Sequence, residues 1–338
     1  MSVMTDQRRT HPGTHRQVLL VTCLALATVV STVASLNVAI PSIARATHAS
    51  QTELSWVVDA YALVFAALLL PGGAIGDRYG RRRALIAGLT VFGGGALAAT
   101  AYADAHWLIA MRAVLGLGAA LVMPATLSTV TSTFPAEQRE KAVGTWAGVA
   151  GASAILGLLA SGTVLEVWSW QSVFVVNAAL AALALVGTLL VVPESADPDA
   201  PPIDWPGAVI AIVGLGLLVF SVIEAPTAGW AAGRTLLGLG LGALVMAGFV
   251  AWELRAAHPL LDPRLFARDG FRVGTLTVTG QFFAFFGFIF LVLQYLQLVL
   301  GESPWEAAAS LVPLALGMMP AARVLAPRLA ARTGAASA

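Results

Sequence analysis

Gly73-Ala74-Ile75-Gly76-Asp77-Arg78-Tyr79-Gly80-Arg81-Arg82-Arg83 fills the short gap between two long apolar segments. It puts one carboxylate, four arginines and turn-forming glycines into a single connection. Arginines beside a membrane span ordinarily mark the side of the bilayer on which a loop stays. That reading accounts for Arg81, Arg82 and Arg83. It leaves Gly73, Asp77 and Gly80 at fixed offsets unexplained, so the loop carries a second constraint besides topology.

Composition agrees with a lipid-embedded chain. Charged residues make up 11% and hydrophobic ones 58% of the 338 residues, and the mean hydropathy is +0.82. Soluble domains carry roughly 25% charged residues, and a soluble fold of this length needs far more polar surface over its core. The expected class is therefore an all-α membrane protein. A net charge of +1 and no basic domain give no basis for nucleic-acid binding. The single cysteine, Cys23, excludes an intrachain disulfide and a cysteine zinc cluster. It lies inside the first apolar segment, where it reads as a small buried hydrophobe. All five histidines fall in polar tails or loops, and no H-E-x-x-H, Walker or G-x-S-x-G pattern occurs. The sequence thus points away from an enzyme, a metal and a cofactor. With no ATP site, active transport would draw on an ion gradient.

About 20 apolar residues cross roughly 30 Å of hydrocarbon. Ten stretches qualify: 18–40, 55–76, 84–103, 107–132, 142–165, 170–192, 206–224, 234–254, 273–299 and 306–326. The first is too long for a signal-peptide core and is followed at once by more spans, so it reads as an uncleaved helix. With the N-terminus inside, sixteen of the nineteen basic residues fall in cytoplasmic segments; Arg45 and Arg234 lie outside and Arg112 within a span. That bias predicts a multi-pass cell-membrane protein with both termini cytoplasmic. The acidic loop at 193–204, with Glu194, Asp197, Asp199 and Asp204, adds little, because carboxylates weigh lightly in the rule. Trp56, Trp107, Trp168, Trp170, Trp230 and Trp305 cluster near the outer span edges, the headgroup level that tryptophan favours.

The loop pattern G-x-x-x-D-R-x-G-R-R closely resembles the conserved loop between spans 2 and 3 of the major facilitator superfamily of secondary transporters. Further patterns are similar to its fourteen-span drug:proton antiporter branch: Asn37-Val38-Ala39-Ile40-Pro41 closing span 1, Trp56 to Tyr61 opening span 2, and Arg112, Gly116, Gly118, Ala119 and Ala120 in span 4. Gly157 and Gly162 stand where the antiporter motif of span 5 places glycines. Trp170, Phe174 and Asn177 resemble the opening of span 6. Ala257 to Asp262 and Gln294 to Gln297 resemble joins around spans 8 and 9. The branch's span-1 aspartate is Thr32 here, and the antiporter motif's proline is Leu158. Arg332-Thr333-Gly334 echoes Arg78-Tyr79-Gly80, where the second half of such a transporter repeats the first. The resemblance implies a cytoplasmic tail (1–17), a complete six-helix bundle (18–192), two linker helices with their loops (193–272), and two helices of an incomplete second bundle (273–338), as in a fourteen-span protein lacking its last four helices.

Within spans 1 to 6 only Asp59 and Arg112 are ionisable and well inside the bilayer. Such charges cost about 2.5–3.5 kcal/mol on insertion scales and face protein or water. Asp59 is a candidate proton carrier coupled to Arg112, or else an interfacial cap at the start of span 2. Asp77 is expected to anchor the loop through Arg81 or through a helix N-terminus. The glycines of span 5 (144, 148, 151, 157 and 162) allow close helix contact or a hinge. Six phenylalanines between 282 and 290 cover every side of span 9, so several face lipid. Asn37, Gln281 and Gln294 are cavity candidates, since an amide facing lipid would lack partners. The leading expectation is proton-coupled efflux of drug-like or hydrophobic small molecules. The alternatives are a facilitator-type metabolite carrier and a truncated, non-transporting membrane remnant.

The charge bias makes a topological prediction. In intact cells, with Cys23 replaced, a cysteine at Arg82 is protected from an impermeant thiol reagent, while cysteines at Ser50 and Ala228 are labelled. Labelling at position 82 from outside would overturn the ten-span arrangement.

Overall fold

Inside hydrocarbon no water receives backbone N–H and C=O groups, so apolar runs satisfy themselves as helices. The computed structural model describes residues 12–197 and 202–314. In chain order they form α1 (Pro12–Thr47), α2 (Gln51–Tyr79), α3 (Arg81–Ala99), α4 (Ala105–Thr133) and α5 (Ala136–Val167). There follow α6 (Gln171–Val191), α7 (Trp205–Ala228), α8 (Gly233–Glu253), α9 (Asp269–Gln294) and α10 (Pro304–Ala309). A 3₁₀ turn at Pro263–Ala267 precedes α9, and a π-helical turn at Tyr295–Val299 follows it. Among the described residues, every regular element is helical.

Local chemistry sets the helix starts. Ser50 and Glu53 cap α2 reciprocally: the Ser50 N–H donates to Glu53 Oε2 at 2.7 Å and the Glu53 N–H to Ser50 Oγ at 3.3 Å. Asp104 takes the Trp107 N–H at 2.8 Å at the start of α4, and Asp204 takes the Gly207 N–H at 2.9 Å at the start of α7. Between α2 and α3 stands Gly80 alone, at φ 117°, a conformation other residues rarely adopt.

Eight helices, α1, α2 and α4 to α9, are long and apolar enough to cross a membrane. The third expected span is α3, whose three leading arginines remove it from that count although its 19 residues pack along α4 and α6. Two expected edges are corrected. The first helix does not close at Pro41 but runs through it to Thr47. Helix α5 begins at Ala136 rather than at 142, because its charged first turns are helical outside the apolar run. Of the expected tenth span, 306–326, the structure describes α10 and residues to 314; the rest, with Gly317, Arg323, Arg328 and the 332–334 echo, lies outside the described residues.

Helices α1 to α6 pack on one another, α2 against α4, α3 against α4 and α6, and α1 against α5 and α6. The hairpin α7–α8 lies on α2, and α9–α10 rests on α1 and α5. The main core joins Val29, Tyr61, Leu89, Phe92 and Leu115 from α1 to α4 with Ala181 of α6. A separate apolar cluster joins Val38 and Leu158 to Ile289, Leu293 and Ala307 of α9 and α10. Lipid offers helices no hydrophobic drive to associate, so close backbone approach does that work. At the α3–α4 crossing a β-carbon on Gly118 would lie 2.7 Å from both the Gly88 carbonyl oxygen and the Phe92 nitrogen. Gly118→Val is therefore expected to cost about 1–3 kcal/mol, read as a lower thermal midpoint in detergent. Gly144→Ala, which meets nothing within 4 Å, should leave the midpoint unchanged or raise it slightly.

Candidate coupling site and arginine loop

The intramembrane charges lie in the third turns of α2 and α4. Arg112 is 1% exposed. Its Nε donates to the Val57 carbonyl at 2.8 Å and its Nη2 to the Val58 carbonyl at 3.2 Å. Its guanidinium carbon stands 4.4 Å from the centre of the Tyr61 ring, a cation–π geometry. Tyr61 is fixed in turn, its hydroxyl donating to the Val29 carbonyl of α1 at 3.0 Å. Among the described residues one guanidinium nitrogen, Nη1, is buried without a partner. Asp59 follows Val58 directly and is half-buried. No ion pair within 4.0 Å joins it to Arg112 among the described residues. The guanidinium thus braces the α2 backbone and keeps one N–H unused beside a carboxylate-bearing turn.

Thr32, at the position where a span-1 aspartate was compared, is buried at 2% exposure. Its hydroxyl lies 2.9 Å from both Asn177 Oδ1 and the Thr28 carbonyl, a neutral link between α1 and α6. Asn37 is also buried; its Nδ2 donates to the Val33 carbonyl at 2.9 Å while Oδ1 has no partner. Pro41, four residues on, has no N–H to offer the Asn37 carbonyl.

The other cavity candidates lie on α9. Gln281 is exposed, and Gln294 donates within its own helix, to the Phe290 carbonyl at 3.4 Å. Gln297, not Gln294, reaches another helix, donating to the Val38 carbonyl of α1 at 3.4 Å. None of Asn37, Gln281 and Gln294 lines either of two cavities of about 240 and 480 Å³. Of the span-9 phenylalanines, Phe283 is 83% exposed, whereas Phe285 and Phe290 pack against core clusters.

The expected loop at 73–83 is corrected: residues 73–79 end α2 and 81–83 begin α3, so only Gly80 is non-helical, and this arginine joint is held on several sides. Asp77 pairs with Arg81 at 2.8 Å, and its carbonyl accepts the Asp197 N–H at 2.8 Å. The Arg81 N–H donates to the Ser195 carbonyl at 2.8 Å. Arg82 donates through Nη2 to the Leu189 carbonyl at 2.7 Å. Its backbone N–H reaches Glu194 Oε1 at 3.2 Å, and Arg83 Nε stands 3.6 Å from Glu194 Oε2. A β-carbon on Gly80 would come within 2.5 Å of Glu194 Oε1. Glycine is needed there for its φ and for the carboxylate beside it. A β-carbon on Gly73 would lie 3.4 Å from Pro124 Cβ of α4. Arg78 has its guanidinium 6.0 Å from the Tyr79 ring centre.

Sequence reasoning passed over Glu194. Its signal was the acidic stretch after α6, the one connection on that side with no basic residue. Glu224 was also missed, because the expected span stopped at it. It sits inside α7 and accepts the Trp56 indole N–H at 3.0 Å, joining the hairpin to α2. On α5, a β-carbon on Gly157 would lie 2.7 Å from the Ser31 carbonyl and one on Gly162 2.8 Å from the Pro304 carbonyl. Among the described residues a β-carbon on Gly144, Gly148 or Gly151 would have no neighbour within 4 Å, so the close helix contact allowed by the span-5 glycines falls at Gly157 and Gly162.

This architecture defines a helical secondary-transporter fold. The peptide transporter POT, in a crystal structure with sulfate, superposes with a TM-score of 0.66 over 96% of this chain and 69% of its own, at 17% identity. The sequence profile of the Major Facilitator Superfamily matches residues 20–338, and the chain belongs to that superfamily. The methyl viologen resistance protein SmvA of Salmonella typhimurium is 38% identical over 304 residues, 88% of this chain and 61% of that protein. The multidrug resistance protein Stp of Mycobacterium tuberculosis is 34% identical over 278 residues, 82% of this chain and 52% of that protein. The chain spans about half to three-fifths of the length of these relatives.

The loop geometry predicts that Glu194→Ala unpins the start of α3. Losing a capping acceptor costs about 0.5–2 kcal/mol, expected as a lower thermal midpoint and faster amide exchange at residues 80–84. Arg83→Ala should change little, since its side chain is 78% exposed and such ion pairs contribute about 0–1 kcal/mol.

Proposed function

We propose that the chain serves proton-coupled efflux of drug-like or hydrophobic small molecules by alternating access, with its arginine-rich end and both termini in the cytoplasm. The carrying observation is the buried Arg112, with one unpartnered N–H beside the turn that bears Asp59. A carboxylate in the bilayer costs least when neutral or paired. In this reading Asp59 stays protonated while the site changes the side to which it is open. When the site faces the side of lower proton activity it releases its proton, and the carboxylate turns to the free Nη1–H of Arg112. The aromatic face of Tyr61 and the two α2 carbonyls hold the guanidinium in place through both states. The domain roles follow: residues 18–192 form one rocking bundle, 193–272 a linker pair, and 273–338 part of the facing half. A resistance protein for methyl viologen among the relatives and a drug efflux pump of Mycobacterium tuberculosis at 33% identity support the substrate class.

Everted vesicles bearing the protein test this with methyl viologen as the probe. Proton-driven uptake is expected in the unmodified protein and lost in Asp59→Asn, with methyl viologen binding to the purified variant retained. Undiminished proton-driven uptake in the variant removes Asp59 from coupling; no uptake by the unmodified protein removes the efflux reading.

A further inference from the structure

Helices α5 and α6 both lie on α1 yet scarcely touch each other. Between them runs a groove of about 240 Å³ with α1 as its floor. It follows α5 from Ser153, near mid-helix, to Val164, three residues short of the end. At 1.5 Å per residue that is about 16 Å, close to half of the roughly 30 Å hydrocarbon core. The groove is therefore about one leaflet deep, on the side of the α5–α6 turn.

Its chemistry is apolar despite its hydroxyls. Ser31, Ser35 and Ser153 donate to carbonyls of their own helices, and Ser161 donates to the Ser35 carbonyl. Asn177 accepts from Thr32. No ionisable side chain lines it, so neither a charged ligand nor a headgroup has a partner inside. At its lip Leu156 is 62% exposed and Ala160 is exposed. The opening is continuous with the apolar outer face of α6, where Val175 is 49% and Leu183 59% exposed. That face meets lipid.

We propose that this groove seats one acyl chain of a phospholipid from the leaflet on the α5–α6 side, wedged between α5 and α6 against α1. The occupant is long, uncharged and supplied sideways by the bilayer, and it fills space that neither helix covers.

The test uses the purified protein in phosphatidylethanolamine–phosphatidylglycerol vesicles doped with a phospholipid carrying a mid-chain diazirine. Photolabelling of peptides 153–164 and 173–180 is expected to saturate at low mole fraction of the probe. Labelling of the exposed face of α8 should instead rise in proportion. Ala160→Phe, which fills the groove from its exposed lip, should lower the saturable label at least five-fold. Leu183→Phe, on the lipid face outside the groove, should leave it unchanged. Labelling that rises linearly at the groove, or is indifferent to Ala160→Phe, would overturn the proposal. Loss of label on adding tetraphenylphosphonium would overturn it too, by showing that a lipophilic cation is the resident.

Discussion

The absence of a hydrophobic drive between helices in lipid is the constraint on which the rest of this fold depends. Its answer is backbone contact at glycine. Gly116 brings α4 against the Tyr61 carbonyl of α2, Gly88 and Gly118 bring α3 against α4, and Gly157 brings α5 against Ser31 of α1. These approaches fix the distance between α2 and α4. At that distance the Arg112 side chain can span to the Val57 and Val58 carbonyls and stack on Tyr61. A wider crossing would strand a guanidinium in a medium where an unpaired charge is costly. Packing by the smallest residue thus makes room for the most demanding one.

The loop between α2 and α3 was legible because each of its requirements is written in a residue type. A positive φ calls for glycine at 80, and an i,i+4 pair calls for Asp77 with Arg81. What holds the loop from outside was not legible. Glu194 is more than a hundred positions away, and only the packing of α6 beside α3 brings it to the α3 N-terminus. Helix edges failed for a related reason. Hydropathy marks the apolar run, whereas hydrogen bonding carries α1 through Pro41 and starts α5 six residues early (142 − 136). Likewise an amide in a span implies a partner without saying which. Asn37 is buried, but Gln297 rather than Gln294 crosses to α1.

The linker hairpin makes specific contacts that hydropathy does not reveal. At one end of α2, Trp56 donates to Glu224 of α7 and stacks obliquely on Phe220, with ring centres 5.7 Å apart. At the other, the connection leading to α7 exchanges backbone hydrogen bonds with Asp77 and Arg81. Asp204 then takes the Trp252 indole N–H at 2.8 Å, closing α7 on α8. The hairpin is thus tied to α2 through α7.

The contacts that join α9 and α10 to the first six helices are one-sided. Gln297 reaches Val38, the Trp305 N–H reaches Glu166 Oε1 at 3.1 Å, and Gly162 lets the Pro304 carbonyl close on α5. All of these lie in the half of the molecule remote from the arginine loop. In the arginine half, a cavity of about 480 Å³ separates Gly73, Asp77 and Trp146 from Asp204 and His258. Among the described residues the polar contacts at the α9–α10 joint are few, and hydrogen bonds of this kind contribute about 0.5–1.5 kcal/mol each. The apolar cluster of Val38 and Leu158 with Ile289, Leu293 and Ala307 therefore carries most of the attachment of α9 and α10.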